Sequence, residues 1–160
     1  MQIIVHGATG RMGQLICAAA GNEVAARISP GYPTSGNGCW RTLAEYQGSA
    51  DCVIDFSHHS ATGALVNYCL ARRLPLLIAT TGQTEAERAQ IEAAAAEIPV
   101  FFASNYSLGI AVLADIACRA TAMFPDADIE IVEMHHNQKL DVPSGTALTL
   151  ASSIAAVRPG

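Results

Sequence analysis

Glycines at positions 7, 10 and 13 follow the apolar run 2–6 and lead into a helical pattern. At this spacing the chain can turn sharply from strand to helix with its backbone close to a ligand. The amides that open the helix then form a site for pyrophosphate. Thr9 stands where the commoner fingerprint has its middle glycine, and a tight turn with nothing bound is the rival reading. A second dense stretch spans 133–146. His135 can give or take a proton near neutral pH. Strand periodicity would put Glu133 on the same face, orienting the ring or raising its pKa. His136 would point the other way unless the strand ends there. Lys139 supplies a cation for an anionic or imine substrate. Ser144, Gly145 and Thr146 follow Pro143 and begin a helix, offering amides and hydroxyls to a docking carboxylate. Neighbouring histidines also suggest zinc, but a strand does not aim adjacent side chains at one ion and no cysteine is near, so no metal is expected. A polar surface loop is the plain alternative.

Three further polar segments each follow an apolar run: Asp55 to Ser57, Thr80 to Gly82, and Ser104, Asn105, Tyr106 and Ser107. Singly they read as caps and turns. Together, on the carboxyl edge of one sheet beside a glycine turn, they favour a shared cofactor site. An acid near the end of the second strand would select against a 2′-phosphate, but Arg27, Ile28, Ser29 and Pro30 stand there instead. With Arg11, Arg27 and Ser29 available, tolerance of the 2′-phosphate is favoured, although Arg27 fits a solvated surface position equally well. His6 reads as a packed residue, His58 and His59 as caps or lining of the sheet edge, and Trp40 and Tyr46 as packing.

The elements that must position these groups alternate. Continuously apolar strands are expected over 2–6, 23–28, 52–56, 76–79 and 100–103. The first helix should bury Met12, Leu15, Ile16 and Ala19; further helices are expected over 60–73 and from Thr84, with Glu87 completing a capping box. Such alternation signals an α/β fold: a doubly wound, mostly parallel Rossmann-type sheet. Beyond Ala103 the pattern changes. Ser107 caps a helix running to about Phe124, 128–135 reads as a strand, and 144–157 as a helix. These form the beginning of a second, α+β domain, which gives a dinucleotide-binding domain over 1–105 and a partial second domain over 106–160.

With 51% hydrophobic and 14% charged residues, the 160-residue chain can bury a core, which excludes disorder. A net charge of −5 argues against a broad nucleic-acid surface. No apolar run is long enough for a bilayer and no secretory signal is visible, so a cytoplasmic protein is expected. The five cysteines form no C-x-x-C; all but Cys39 sit in apolar surroundings and read as small buried residues.

Taken in order, G-x-x-G-R-M-G, V-I-D-F-S, T-T-G, S-N-Y-S-L-G and E-x-H-H-x-x-K-x-D-x-P-S-G-T-A resemble the dihydrodipicolinate reductase family from end to end of the chain. The resemblance implies reduction of a cyclic imine dicarboxylate by NADH or NADPH in the diaminopimelate branch of lysine biosynthesis, by a cytoplasmic homotetramer. It implies that Gly7, Ala8, Thr9, Gly10, Arg11 and Met12 hold the pyrophosphate, and that Ala79, Thr80, Thr81 and Ser104 to Ser107 line the nicotinamide. His135 becomes the proton donor with Lys139 its catalytic partner, while His136, Ser144, Gly145 and Thr146 bind substrate. Ala79 departs from the glycine usual before T-T-G, and the acid after the second strand is missing. Family members run well past this chain's length, so a fragment or truncated chain lacking most of the tetramer-forming sheet is expected. Two other readings stay open: a different nicotinamide-dependent dehydrogenase of the same architecture, and a nucleotide-binding module without catalysis.

Overall fold

A computed structural model describes residues 1–135, 137 and 142–158 of the chain. It comprises two compact units, Met1–Ala103 and Ser104–Gly160. In the first, β1 (Ile3–His6), β2 (Val24–Ile28), β3 (Cys39–Trp40), β4 (Cys52–Asp55), β5 (Leu76–Ile78) and β6 (Val100–Phe102) form a single sheet. Its order is β3-β2-β1-β4-β5-β6 and every pairing is parallel. The connections carry α1 (Arg11–Ala20), α2 (Thr62–Arg72) and α3 (Glu85–Ala95). Strand order reverses between β1 and β4, which makes the fold doubly wound and opens a crevice at the carboxyl ends of that pair.

The strands are short apolar runs because both faces are covered. Ile4, Ile28, Val53 and Ile78 pack with Leu65, Val66 and Cys69 of α2 and Ile91 and Ala94 of α3. Ile3 and Val5 face the other way, against Ile16, Cys17 and Ala20 of α1. Each fully buried aliphatic of this kind contributes about 1.5–3 kcal/mol. At the head of α3 the Thr84–Glu87 capping box is complete.

Three expectations need correction. The inward side of α1 is Gly13, Ile16, Cys17 and Ala20, whereas Met12 is 48% and Leu15 63% exposed. Backbone contact sets this rotation: a Cβ on Gly13 would lie 2.2 Å from the Gly7 carbonyl oxygen, so the glycine must face the turn. The sheet has six strands rather than five, because the long second connection contributes β3 as an edge. Positive φ at Gly36, Asn37 and Gly38 turns the chain into it. Trp40 then meets the buried Tyr46 edge to face at 4.7 Å. Of the five free cysteines only Cys69 is fully buried; the other four are half-buried.

The second unit contains α4 (Leu108–Met123) and α5 (Gly145–Val157), each capped by a serine. Ser107 accepts the Ile110 amide and Ser144 the Ala147 amide. The strand expected over 128–135 does not form. The segment is exposed, and among the described residues this unit has no other strand to supply ladder hydrogen bonds. The regular elements in the described part of the second unit are α4 and α5. No helix among the described residues is long and apolar enough to cross a membrane.

Candidate functional site

The glycine turn sits on the carboxyl end of β1. Gly7 has φ +84°, and a Cβ on it would stand 2.4 Å from the Phe56 carbonyl oxygen and 2.8 Å from the Ser57 nitrogen. The turn thus rests directly on the 56–57 peptide beyond β4. The Gly7 and Ala8 amides both donate to the Ile28 carbonyl, at 2.9 and 3.1 Å. Ala8 is buried, whereas Thr9, Gly10, Arg11 and Met12 are exposed. As first-turn residues of α1, Arg11 and Met12 have amides with no intrahelical acceptor.

At the end of β2, Ser29 is buried and its Oγ lies 2.5 Å from Thr9 Oγ1. The residue standing in for the middle glycine therefore ties the turn to the second strand. Arg27 is half-buried, with its charge near the Cys17 thiol and beside Cys39 and Tyr32. Burial raises the Cys17 thiol against the opposing Arg27 charge. Of the three groups expected to tolerate a 2′-phosphate, Ser29 already has a hydrogen-bond partner inside the unit, Arg27 is half-buried, and Arg11 is exposed.

Sequence reasoning put Asp55 on this edge and His6 in the packing, but missed that the two pair. His6 and Asp55 are register partners at the ends of β1 and β4, where the strand order reverses. Asp55 is 2% exposed. Its Oδ1 accepts from His6 Nδ1 at 2.8 Å and Ser57 Oγ at 2.6 Å, and its Oδ2 accepts from Thr80 Oγ1 at 2.7 Å. Burial alone would raise this carboxyl; the hydrogen bonds from His6, Ser57 and Thr80 outweigh it and hold the group below its ordinary value. An ionised carboxylate only accepts, so His6 carries a proton on Nδ1. The available signal was a titratable residue closing each of two apolar runs. Pairing them requires the strand order.

The loop after β5 continues the edge. Ala79 is half-buried, Thr80 buried and Thr81 exposed, and Gly82 turns the chain at φ +89°. Gln83 Nε2 donates to the Thr80 carbonyl at 2.8 Å. Its Oε1 is buried with no hydrogen-bond partner among the described residues. His58 caps the turn His59–Ala61, and His59 Nδ1 lies 3.1 Å from Glu87. A dinucleotide fits this edge: exposed first-turn amides suit a pyrophosphate, and an orphaned buried acceptor suits a carboxamide N–H.

In the second unit, Asn105 Nδ2 donates to Thr146 Oγ1 at 2.9 Å while its Oδ1 accepts the Ser107 amide at 2.6 Å. Ser104 Oγ lies 3.2 Å from Thr149 Oγ1. The 104–107 loop and the start of α5 are thereby joined. Tyr106 is 43% exposed. Glu133 Oε1 accepts the Ser144 amide at 2.8 Å, Oε2 accepts the Ser144 hydroxyl, and His135 Nδ1 stands 3.6 Å from Oε2. Glu133 and His135 thus meet without strand periodicity. Ser144 is buried with its hydroxyl engaged at both ends. Gly145 and Thr146 keep first-turn amides that have no intrahelical acceptor. His136 and Lys139 lie outside the described residues. Among the described residues no group of three or more histidines, cysteines or acids is placed to hold a metal.

A six-stranded parallel sheet reversing at β1/β4, with a glycine turn after β1, defines a Rossmann-type α/β protein. Residues 1–106 match the family model described as dihydrodipicolinate reductase, N-terminus, and residues 109–159 the one described as dihydrodipicolinate reductase, C-terminus. The chain belongs to the dihydrodipicolinate reductase family. It is 44% identical over 158 residues to a 4-hydroxy-tetrahydrodipicolinate reductase of Campylobacter jejuni, covering 99% of this chain and 63% of that protein. A protein of the same name from Caldanaerobacter subterraneus is 41% identical over 163 residues, covering 99% and 65%. Among solved structures, dipicolinate-bound dihydrodipicolinate reductase from Paenisporosarcina sp. TG-14 aligns with TM-score 0.76 and 28% identity, over 99% of this chain and 67% of that one. The chain spans less than two thirds of the length of these curated relatives.

Proposed function

We propose that this chain carries the cofactor site and the proton-donating segment of a 4-hydroxy-tetrahydrodipicolinate reductase. Its substrate would be the cyclic imine dicarboxylate of the diaminopimelate branch of lysine biosynthesis. The observation that carries this is the presence, in one chain matched along its length by both halves of the family, of a glycine turn on a doubly wound sheet and of E-x-H-H-x-x-K ahead of S-G-T. Gly7 to Met12 would hold the pyrophosphate of NADH or NADPH, with Ser29 supporting the turn. Ala79 to Thr81 and Ser104 to Ser107 would line the nicotinamide, which when bound supplies hydride.

The remaining work falls to side chains. His135 donates the proton that the reduction consumes, with Glu133 Oε2 3.6 Å from its Nδ1. Lys139 is its catalytic partner, supplying a cation, and His136 binds substrate together with the helix start at Gly145 and Thr146. Ser144 acts through its hydrogen bonds, fixing that helix start on Glu133. The exposed Arg11 supports acceptance of a 2′-phosphate as well as a bare ribose. The same reading expects a cytoplasmic homotetramer for the complete enzyme.

The test generates the substrate in situ from pyruvate and aspartate semialdehyde with the preceding synthase. Loss of reduced-cofactor absorbance is then followed with NADH and NADPH separately. Substrate-dependent oxidation is expected, and His135→Gln should lower kcat by about 10²–10⁴-fold, the usual worth of general acid catalysis. Unchanged turnover in that variant would remove His135 from its role. A second reading, cofactor binding without turnover, is favoured by the first unit's own two-sided core. Calorimetric binding of NADH with no oxidation would establish it.

A further inference from the structure

Asp55 reaches both walls of the proposed cofactor cleft from a single side chain. One wall is the glycine turn, whose Gly7 backbone rests against the Phe56–Ser57 peptide. Asp55 fixes that peptide, because Ser57 returns both its hydroxyl, at 2.6 Å, and its amide, at 3.3 Å, to Oδ1. The other wall is the loop after β5, where Thr80 donates to Oδ2 at 2.7 Å. His6 closes the network from the end of β1, one residue before the turn.

We infer that Asp55 is the positioning residue of the cofactor cleft, setting the glycine turn and the Thr80–Gly82 loop at a fixed separation through Ser57 and Thr80. The inference rests on the nucleotide-binding reading above. Asp55 touches no ligand in this role. Its effect reaches the pyrophosphate through one arm and the nicotinamide through the other. An amide at position 55 keeps the shape but turns one acceptor into a donor, facing groups that were themselves donating.

The experiment titrates NADH and ADP-ribose, which lacks the nicotinamide, into the 160-residue chain and three variants by calorimetry, with circular dichroism as the check on folding. Asp55→Asn should weaken both ligands about tenfold or more, as expected for disturbing hydrogen bonds to a charged group. Ser57→Ala should also weaken both. Thr80→Val should weaken NADH and leave ADP-ribose within about twofold of the parent chain, a split that simple destabilisation does not produce. A folded Asp55→Asn that binds both ligands as the parent chain does would overturn the inference. If Asp55→Asn fails to fold, unchanged affinities in Ser57→Ala and Thr80→Val would overturn it equally. A parent chain that binds neither ligand refutes the nucleotide-binding reading itself, before any variant is compared.

Discussion

A carboxylate as buried as Asp55 stays charged only where its hydrogen bonds outweigh the loss of water. This has a pH signature. Above the ordinary carboxyl value of 3.8 the group is ionised in both the folded and unfolded chain, and its interactions contribute in full. As pH falls, the unfolded chain takes up the proton first, because the folded carboxyl lies lower. Stability then declines until the folded group protonates too. Urea melts between pH 3 and pH 6 should show a steeper acid limb for the parent chain than for Asp55→Asn, by up to about 1.4 kcal/mol per pH unit for one proton. Parallel limbs would mean that Asp55 does not carry this linkage. At this scale the glycine spacing and the serine caps at 107 and 144 were legible, because each depends on neighbours within a few residues. The His6–Asp55 pair was not, since its members lie 49 positions apart and meet only through strand order. Periodicity paired Glu133 with His135 for the wrong reason. They are brought together by a non-strand segment whose carboxylate is anchored on the Ser144 amide.

α1 shows how an element can be recognised while its rotation is misread. The face read from spacing carries the larger side chains of Met12 and Leu15, and the structure turns it outward. The deciding contact involves no side chain: Gly13 packs its backbone against the Gly7 carbonyl. Gly13→Ala should therefore destabilise by about 1–3 kcal/mol through overpacking, despite alanine's better helix propensity. Leu15→Ala, on the exposed side, should stay within about 0.5 kcal/mol of the parent. Denaturant midpoints at constant slope make the comparison, and a larger loss for Leu15→Ala would restore the outer face as the buried one. Strand β3 escaped notice for a different reason. Two residues carry no alternation to read, and their pairing is imposed by the turn that delivers them to β2. Residues 128–135 carry strand-like composition with no partner in the described part of their unit. Propensity alone does not fix a ladder.

Across the whole chain, buried apolar side chains are unevenly distributed. Both core clusters lie within the first unit. In the described part of the second, the fully buried residues are Thr121 and Ser144, and Leu108, Met123, Val132 and Met134 are 74–94% exposed. Opening free energy follows buried contacts, so amides of α4 and α5 should exchange with solvent far faster than those of β1, β4 and β5. Nucleotide binding adds a second contrast. A ligand held by the folded first unit stabilises it by about 2.7 kcal/mol at a free concentration 100 times its dissociation constant. Strand amides that exchange only through global opening of that unit should then slow by about a hundredfold. Helices with no share in its core should keep their rates. Hydrogen exchange read by mass spectrometry, with and without saturating ADP-ribose, which lacks the nicotinamide proposed to contact residues 104–107, resolves both contrasts in one experiment. Equal slowing of α4 and β1 would show that the two units open as one cooperative block, and that the stability of the second is borrowed from the first.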